Sequence, residues 1–219
     1  MRFTKEEMKD SMLLYAVTDR TWLKENEDLI SICEAVLESG ATFLQIREKD
    51  LDKETFEQEA EALKKLCAKY HVPFVVNDNV EIAMEIDADG VHVGQSDIKG
   101  RDIRNMIGNE KILGISAGTV EEAIAAEKAG ADYIGVGAVF GTSTKKNARN
   151  LTVEKLKEIC ESVSIPVVAI GGIGASNIME LTNSGIDGVA VVSAIFAAEN
   201  PGEATMELLK LSKEMVGRG

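Results

Sequence analysis

The chain has 219 residues, enough to bury a core that folds without disulfides. Hydrophobic residues make up 45% and charged residues 28%, the balance of ordinary globular material rather than of a disordered or membrane-embedded chain. With 24 Lys and Arg against 37 Asp and Glu the formal net charge is −13, which argues against a nucleic-acid-binding face and requires any anionic ligand to be held by a local positive cluster.

Short β-branched runs alternate along the chain with amphipathic helical stretches. Strands are predicted at 13–17, 42–46, 73–76, 90–93, 112–115, 132–136, 166–170 and 188–192. Several are nearly continuous apolar runs, as expected of strands covered on both faces. Between them, Leu29, Ile30, Ile32, Cys33, Val36 and Leu37 repeat at helical spacing. Phe56, Ala60, Leu63 and Cys67 do the same behind Asp52, an N-cap residue, and Thr119-Val-Glu-Glu122 reads as a capping box. Gly40, Gly130 and Gly185 each stand just past a helical stretch and just before a strand, the stop signal of a helix. Eight strand–helix units in this length repeat every ~27 residues, with short loops. No Pro- or Ser-rich linker divides them, so the expectation is one α/β domain over residues 1–219: a (β/α)8 TIM barrel with parallel strands and its site at the C-terminal strand ends.

The residues just after those strands are unusually polar. Strand alternation puts Gln45, Arg47 and Lys49 on one side, either as an exposed charged turn or as a row facing a phosphate at the barrel mouth. Asn77-Asp78 and Ser96-Asp97 follow the third and fourth strands. Each alone reads as a turn, whereas together they place two carboxylates on adjacent loops, the way Mg2+ is held alongside substrate phosphates. His92 is expected to pack or hydrogen-bond inside the barrel, and His71 to lie on the surface. Ser116, after the fifth strand, reads equally as a cap or a substrate contact. The sixth strand leads into an irregular loop bearing Thr142, Thr144, Lys145, Lys146 and Arg149, with residues 141–150 as a candidate lid. Gly171-Gly172 after the seventh strand, and Ser193 opening a short extra helix after the eighth, occupy the recurrent phosphate cradle of this fold.

Three cysteines, Cys33, Cys67 and Cys160, are far apart with no CxxC spacing, which reads as reduced thiols in a cytoplasmic protein. Neither a secretory leader nor an 18-residue apolar run is visible.

Taken in order, Tyr15-Ala-Val-Thr-Asp19, Gln45-Ile-Arg-Glu-Lys49, Val76-Asn-Asp78, the segment from Gly90 through His92 to Asp97, Gly114-Ile-Ser116, the run from Gly135 to Lys146, Val168-Ala-Ile-Gly-Gly172 and the run from Asp187 to Ser193 resemble the thiamine-phosphate synthase (thiamine-phosphate pyrophosphorylase) family. The resemblance implies a transferase that joins 4-amino-5-hydroxymethyl-2-methylpyrimidine diphosphate to hydroxyethylthiazole phosphate. Its products are thiamine monophosphate and pyrophosphate. It implies that Arg47, Lys49, Asn77 and Lys145 hold the diphosphate and that Asp78 and Asp97 bind Mg2+ as cofactor. Gln45 and Ser116 then contact the pyrimidine, while Thr142, Thr144, Gly172, Val192 and Ser193 receive the thiazole phosphate. Arg47, Lys49, Lys145 and Ser116 form the expected catalytic set, acting by dissociative loss of pyrophosphate. Gly118 departs from the family, many members of which have histidine there. The alternatives are a thiazole tautomerase on the same fold, which would work without Mg2+, and a non-catalytic phosphate-ligand binder. The expected partners are two phosphorylated small molecules, with no nucleic acid and no membrane; a homo-oligomer is compatible with the sequence.

Overall fold

Residues 4–96, 101–141 and 151–218 are described by the computed structural model. The eight predicted runs all form strands, β1 (Leu14–Val17), β2 (Phe43–Ile46), β3 (Phe74–Asn77), β4 (Gly90–Val93), β5 (Ile112–Ala117), β6 (Tyr133–Gly137), β7 (Val167–Ile170) and β8 (Gly188–Val191). They pair in parallel, each with its chain neighbour, and β8 returns to β1 to close the barrel. The boundaries differ from the expected ones by at most two residues. The largest difference is at β5, which runs on through Ser116 and Ala117 because those residues still pair with Gly135 and Val136.

The outer layer comprises α2 (Leu29–Glu38), α3 (Lys53–Tyr70), α4 (Val80–Glu85), α5 (Ile103–Ile107), α6 (Val120–Lys128), α7 (Val153–Ser162), α8 (Ser193–Phe196) and α9 (Pro201–Met215), after an N-terminal α1 (Lys5–Ser11). Local chemistry accounts for their ends. The Asp52 carboxylate accepts from Thr55 N–H at 3.0 Å, opening α3. Thr119 Oγ1 accepts from Glu122 N–H, but the Glu122 carboxylate reaches one residue further back than in a capping box and accepts from Gly118 N–H at 2.7 Å. Gly40, Gly130 and Gly185 have φ of +101°, +83° and +90°, the left-handed geometry that a helix exit into a strand requires.

Two features depart from a regular eightfold repeat. Between β7 and β8 the chain makes only a 3-10 turn, Ile178–Leu181, where a helix was expected. The Gly174–Asn177 turn consumes the start of that connection: Asn177 Oδ1 accepts from Gly174 N–H and its Nδ2 donates to Gly172 O. In front of β1, α1 is an additional helix whose short amphipathic pattern was not recognised in the sequence.

Two cores follow from the strand alternation. Leu14, Leu44, Ile46, Val76, Val91 and Ile134 face outward and pack under the helices with Cys33, Leu63, Cys67 and Leu156. Tyr15, Val17, Phe43, Val75, Ile112, Tyr133 and Val168 face inward, and Met8 and Met12 from α1 close the N-terminal end beneath them. Each such buried side chain contributes roughly 1.5–3 kcal/mol. The barrel interior is therefore a filled plug at the bottom with a polar upper layer. Cys33 and Cys67 are buried free thiols and Cys160 is a partly buried one.

Candidate active site

At the C-terminal strand ends the inward-facing side chains change from apolar to polar, and a cavity of about 500 Å3 opens above the aromatic plug. Its wall brings together Gln45, Arg47, Lys49, Asn77, Asp78, Ser116, Gly172, Val192 and Ser193, nine residues picked out in the sequence. Asp97, Thr142, Thr144 and Lys145 lie outside the described residues, as do Lys146, Arg149 and nearly all of the candidate lid.

Residues 45–49 alternate as expected. Gln45, on β2, is buried, Arg47 is half-buried, and Lys49 is exposed at the rim. Arg47 is anchored from beneath. Its backbone N–H donates to the Oγ1 of the fully buried Thr18 at 2.9 Å, and its guanidinium lies 3.8 Å from the Asp19 carboxylate. The next residue faces the other way: Glu48 is bonded by Arg20 Nε at 3.1 Å, and the same guanidinium also binds Glu59 on α3. Desolvation pushes the Glu48 carboxyl upward, and the bonds from Arg20 oppose it. This strut ties the loop after β2 to the loop after β1, which limits how far Arg47 and Lys49 can stray.

Asn77 ends β3, and Asp78 turns the chain out of the barrel with a left-handed φ of +61°. Aspartate tolerates that region better than most residues. Asp78 N–H donates to His92 O at 2.8 Å, and Asn77 Nδ2 donates to Asp78 Oδ2 at 2.7 Å. Asp78 is exposed on the cavity rim.

Ser116 requires a correction. It is a strand residue, opposite Gly135 on β6, and neither a cap nor part of a loop. Its Oγ lies 3.0 Å from His92 Nε2, and its carbonyl accepts from Gln95 Nε2 at 2.7 Å. His92 is inside the barrel and hydrogen-bonded, as expected; His71 caps α3 on the surface.

The opposite wall is built from backbone. Gly171 and Gly172 have φ of +105° and +65°. A Cβ on Gly171 would sit 2.4 Å from the Ala138 Cβ, and one on Gly172 would sit 2.4 Å from Gly141 O. The missing side chains thus first admit the segment that follows β6. Ser193 opens α8, and Val192 at the cap position provides no side-chain bond to the first turn.

Sequence reasoning assigned no site role to four polar side chains that line this cavity, Tyr15, His92, Gln95 and Glu122, nor to Asp19 and Tyr133, which contact residues of its wall. The signal for Tyr15, His92 and Tyr133 was a polar group inside the otherwise apolar runs of β1, β4 and β6, though not what each would contact. Nothing in the sequence marked the Glu122 bond to Gly118. Burial raises both phenols well above their ordinary range, so Tyr15 and Tyr133 stay protonated.

Comparison with known proteins adds an independent line. The family model for thiamine monophosphate synthase matches residues 14–195. The chain is 48% identical over 195 residues to a thiamine-phosphate synthase of Clostridium botulinum, covering 89% of this chain and 91% of that one. It is 51% identical over 199 residues to a thiamine-phosphate synthase of Alkaliphilus oremlandii, covering 91% and 94%. Among solved structures, a thiamine phosphate pyrophosphorylase from Pyrococcus furiosus superimposes with a TM-score of 0.87 at 40% identity, over 96% of this chain and 100% of that one.

Proposed function

We infer the residue roles that follow from one premise: the chain belongs to the thiamine monophosphate synthase family. Its activity is that of a thiamine-phosphate synthase, a transferase that condenses the pyrimidine diphosphate with the thiazole phosphate and releases pyrophosphate. The observation that carries the residue assignment is the two-sided cavity. Arg47, Lys49, Asn77 and Asp78 stand on one wall and the Gly171-Gly172 turn and Ser193 on another, so two phosphorylated partners have separate footholds.

In this reading the diphosphate lies against Arg47, Lys49 and Asn77, joined by Lys145. As the carbon–oxygen bond to pyrophosphate breaks, negative charge grows on the leaving oxygens. Arg47 offers a two-pronged donor to them and Lys49 a point charge, both placed before the reaction begins. The thiazole phosphate is held by the backbone at Gly172 and Val192 and by the Ser193 hydroxyl, with Thr142 and Thr144 completing the cradle. Gln45 and Ser116 orient the pyrimidine. The filled plug closes the cavity floor, and the thiazole held beside the pyrimidine places its nitrogen to capture the cation that the aminopyrimidine stabilises.

The residues present suit Mg2+. Among the described residues no three His, Cys, Asp or Glu side chains converge. A rim carboxylate at Asp78, with Asp97 as its partner, is the sparse oxygen set that Mg2+ accepts when phosphates and water complete its shell. Bound there, the ion would neutralise charge on the diphosphate oxygens.

We also read the chain as one barrel domain acting in the cytoplasm on small molecules, self-association being compatible with the fold. Among the described residues no helix is long and apolar enough to cross a membrane. The test is direct: purified protein, both substrates and Mg2+ should yield thiamine phosphate and pyrophosphate in equal amounts. A chelator should stop the reaction. No product above background would remove the assignment.

A further inference from the structure

Beneath the proposed pyrimidine subsite, five side chains from five strands form one continuous hydrogen-bond chain. Gln45 Nε2 donates to Tyr15 Oη at 2.5 Å, and Tyr15 Oη meets Tyr133 Oη at 2.8 Å. Tyr133 Oη lies 3.0 Å from His92 Nδ1, and His92 Nε2 lies 3.0 Å from Ser116 Oγ. Two glycines make the chain possible. Gly114 sits between His92 and Tyr133 in the barrel register, and a Cβ there would lie 2.3 Å from the Tyr133 hydroxyl and 2.5 Å from His92 Nδ1. Gly135 is opposite Ser116, and its Cβ would crowd the imidazole at 3.2 Å. The space that lets Tyr133 reach across β5 is therefore built into the backbone.

Proton counting gives the chain a direction. Each phenol has one hydrogen, and both phenols stay protonated in their buried setting. Tyr15 receives from Gln45, so its own hydrogen has Tyr133 Oη as its acceptor. The Tyr133 hydrogen then goes to His92 Nδ1, which puts the ring hydrogen on Nε2, pointing at Ser116 Oγ. The Ser116 hydrogen is left to point away from His92, into the cavity. A ring protonated on Nδ1, or on both nitrogens, would reverse the Tyr133 bond and leave the Tyr15 hydrogen buried without an acceptor, a costly arrangement.

We propose that Tyr133 is a positioning residue that sets the hydrogen-bond polarity of the pyrimidine subsite, holding Ser116 as a donor while Gln45 keeps its carbonyl oxygen as an acceptor. This rests on the assignment of Gln45 and Ser116 to the pyrimidine. An aminopyrimidine edge offers an exocyclic N–H donor and a ring-nitrogen acceptor, which complements that pair. A 4-oxo analogue offers the reverse. To accept it, Ser116 would have to turn its hydrogen away from the ring and Gln45 would have to present its second N–H in place of its carbonyl oxygen, so the relay favours the amino ring over the oxo ring.

The test uses the full chain. The two histidines, His71 and His92, give a simple nitrogen NMR spectrum, in which wild-type His92 should be a neutral ring protonated on Nε2. In Tyr133→Phe the tautomer should become mixed or switch to Nδ1. The KM for the pyrimidine diphosphate should rise roughly tenfold with that for thiazole phosphate unchanged. Discrimination against the 4-oxo diphosphate should fall by a similar factor. Should Tyr133→Phe fail to fold, Tyr15→Phe breaks the same chain one link earlier and should act in the same direction. A wild-type His92 protonated on Nδ1 or on both nitrogens would overturn the proposal, as would a folded variant that kept both tautomer and discrimination. Absence of thiamine phosphate synthesis by the wild type would instead count against the function, with the tautomer measurement still deciding the relay.

Discussion

At the scale of single residues, the site divides by what each side chain can do without moving. Asp78 already occupies the left-handed region, which asparagine also tolerates, so Asp78→Asn should keep the turn and lose only charge. Turnover at fixed Mg2+ should then fall roughly 100-fold, with more Mg2+ needed for half-maximal rate. Ser193→Ala should leave that Mg2+ requirement alone and raise the KM for thiazole phosphate severalfold. Steady-state kinetics varying each substrate and Mg2+ in turn separates the two; equal effects of both changes on both substrates would contradict a divided cavity. Gln45, Arg47 and Asp78 were legible because strand alternation and position after a strand are local properties. The roles of Tyr133 and Gly114 were not, because the contact between Tyr133 and His92 crosses an intervening strand.

At the scale of elements, the Gly171-Gly172 turn shows two demands meeting in one dipeptide. The sequence suggested that small residues let backbone approach a phosphate. The structure adds that both residues have positive φ and that the segment after β6 occupies the space a side chain would need. Gly171→Ala should therefore cost about 2–4 kcal/mol, through backbone strain and through collision with Ala138. In a chain this long each kcal/mol shifts Tm by about 2–4 °C, so thermal unfolding should register the change clearly. An unaltered Tm would mean that the loop after β6 yields easily. The connection from β7 to β8 and the additional α1 were the elements the sequence did not reveal. The first lacks a sustained helical period because a glycine–asparagine turn takes its opening residues. The second is short, and its apolar pair, Met8 and Met12, makes sense only as a cover for the barrel floor.

At the scale of the whole molecule, charge is distributed against its average. The formal charge is −13, yet the cavity wall sets Arg47 and Lys49 beside Asp78 and Glu122, a local balance the chain as a whole lacks. Two anionic substrates must be captured locally against a repulsive mean field. Salt screens exposed charges over about 8–10 Å at 0.1–0.15 M, weakening both the repulsion and the capture. The contacts at Arg47 and Lys49 are the shorter-ranged and stronger of the two, so the KM for both substrates should rise as ionic strength increases at constant Mg2+. A falling KM would show that the acidic surface dominates.

What the sequence determined by itself was the periodic part: eight strands, the helix caps, the glycine exits and the polar residues at strand ends. Each of these depends on neighbours a few positions away, and local sterics and alternation settle them. Only the tertiary structure decided which of those polar residues share a cavity wall, that Ser116 belongs to a strand, and that a relay joins Gln45 to Ser116. Those facts depend on register between strands about 20 to 30 residues apart and on the spaces left by Gly114 and Gly135. Barrel closure sets that register, through pairing of β8 with β1, and no local pattern encodes it.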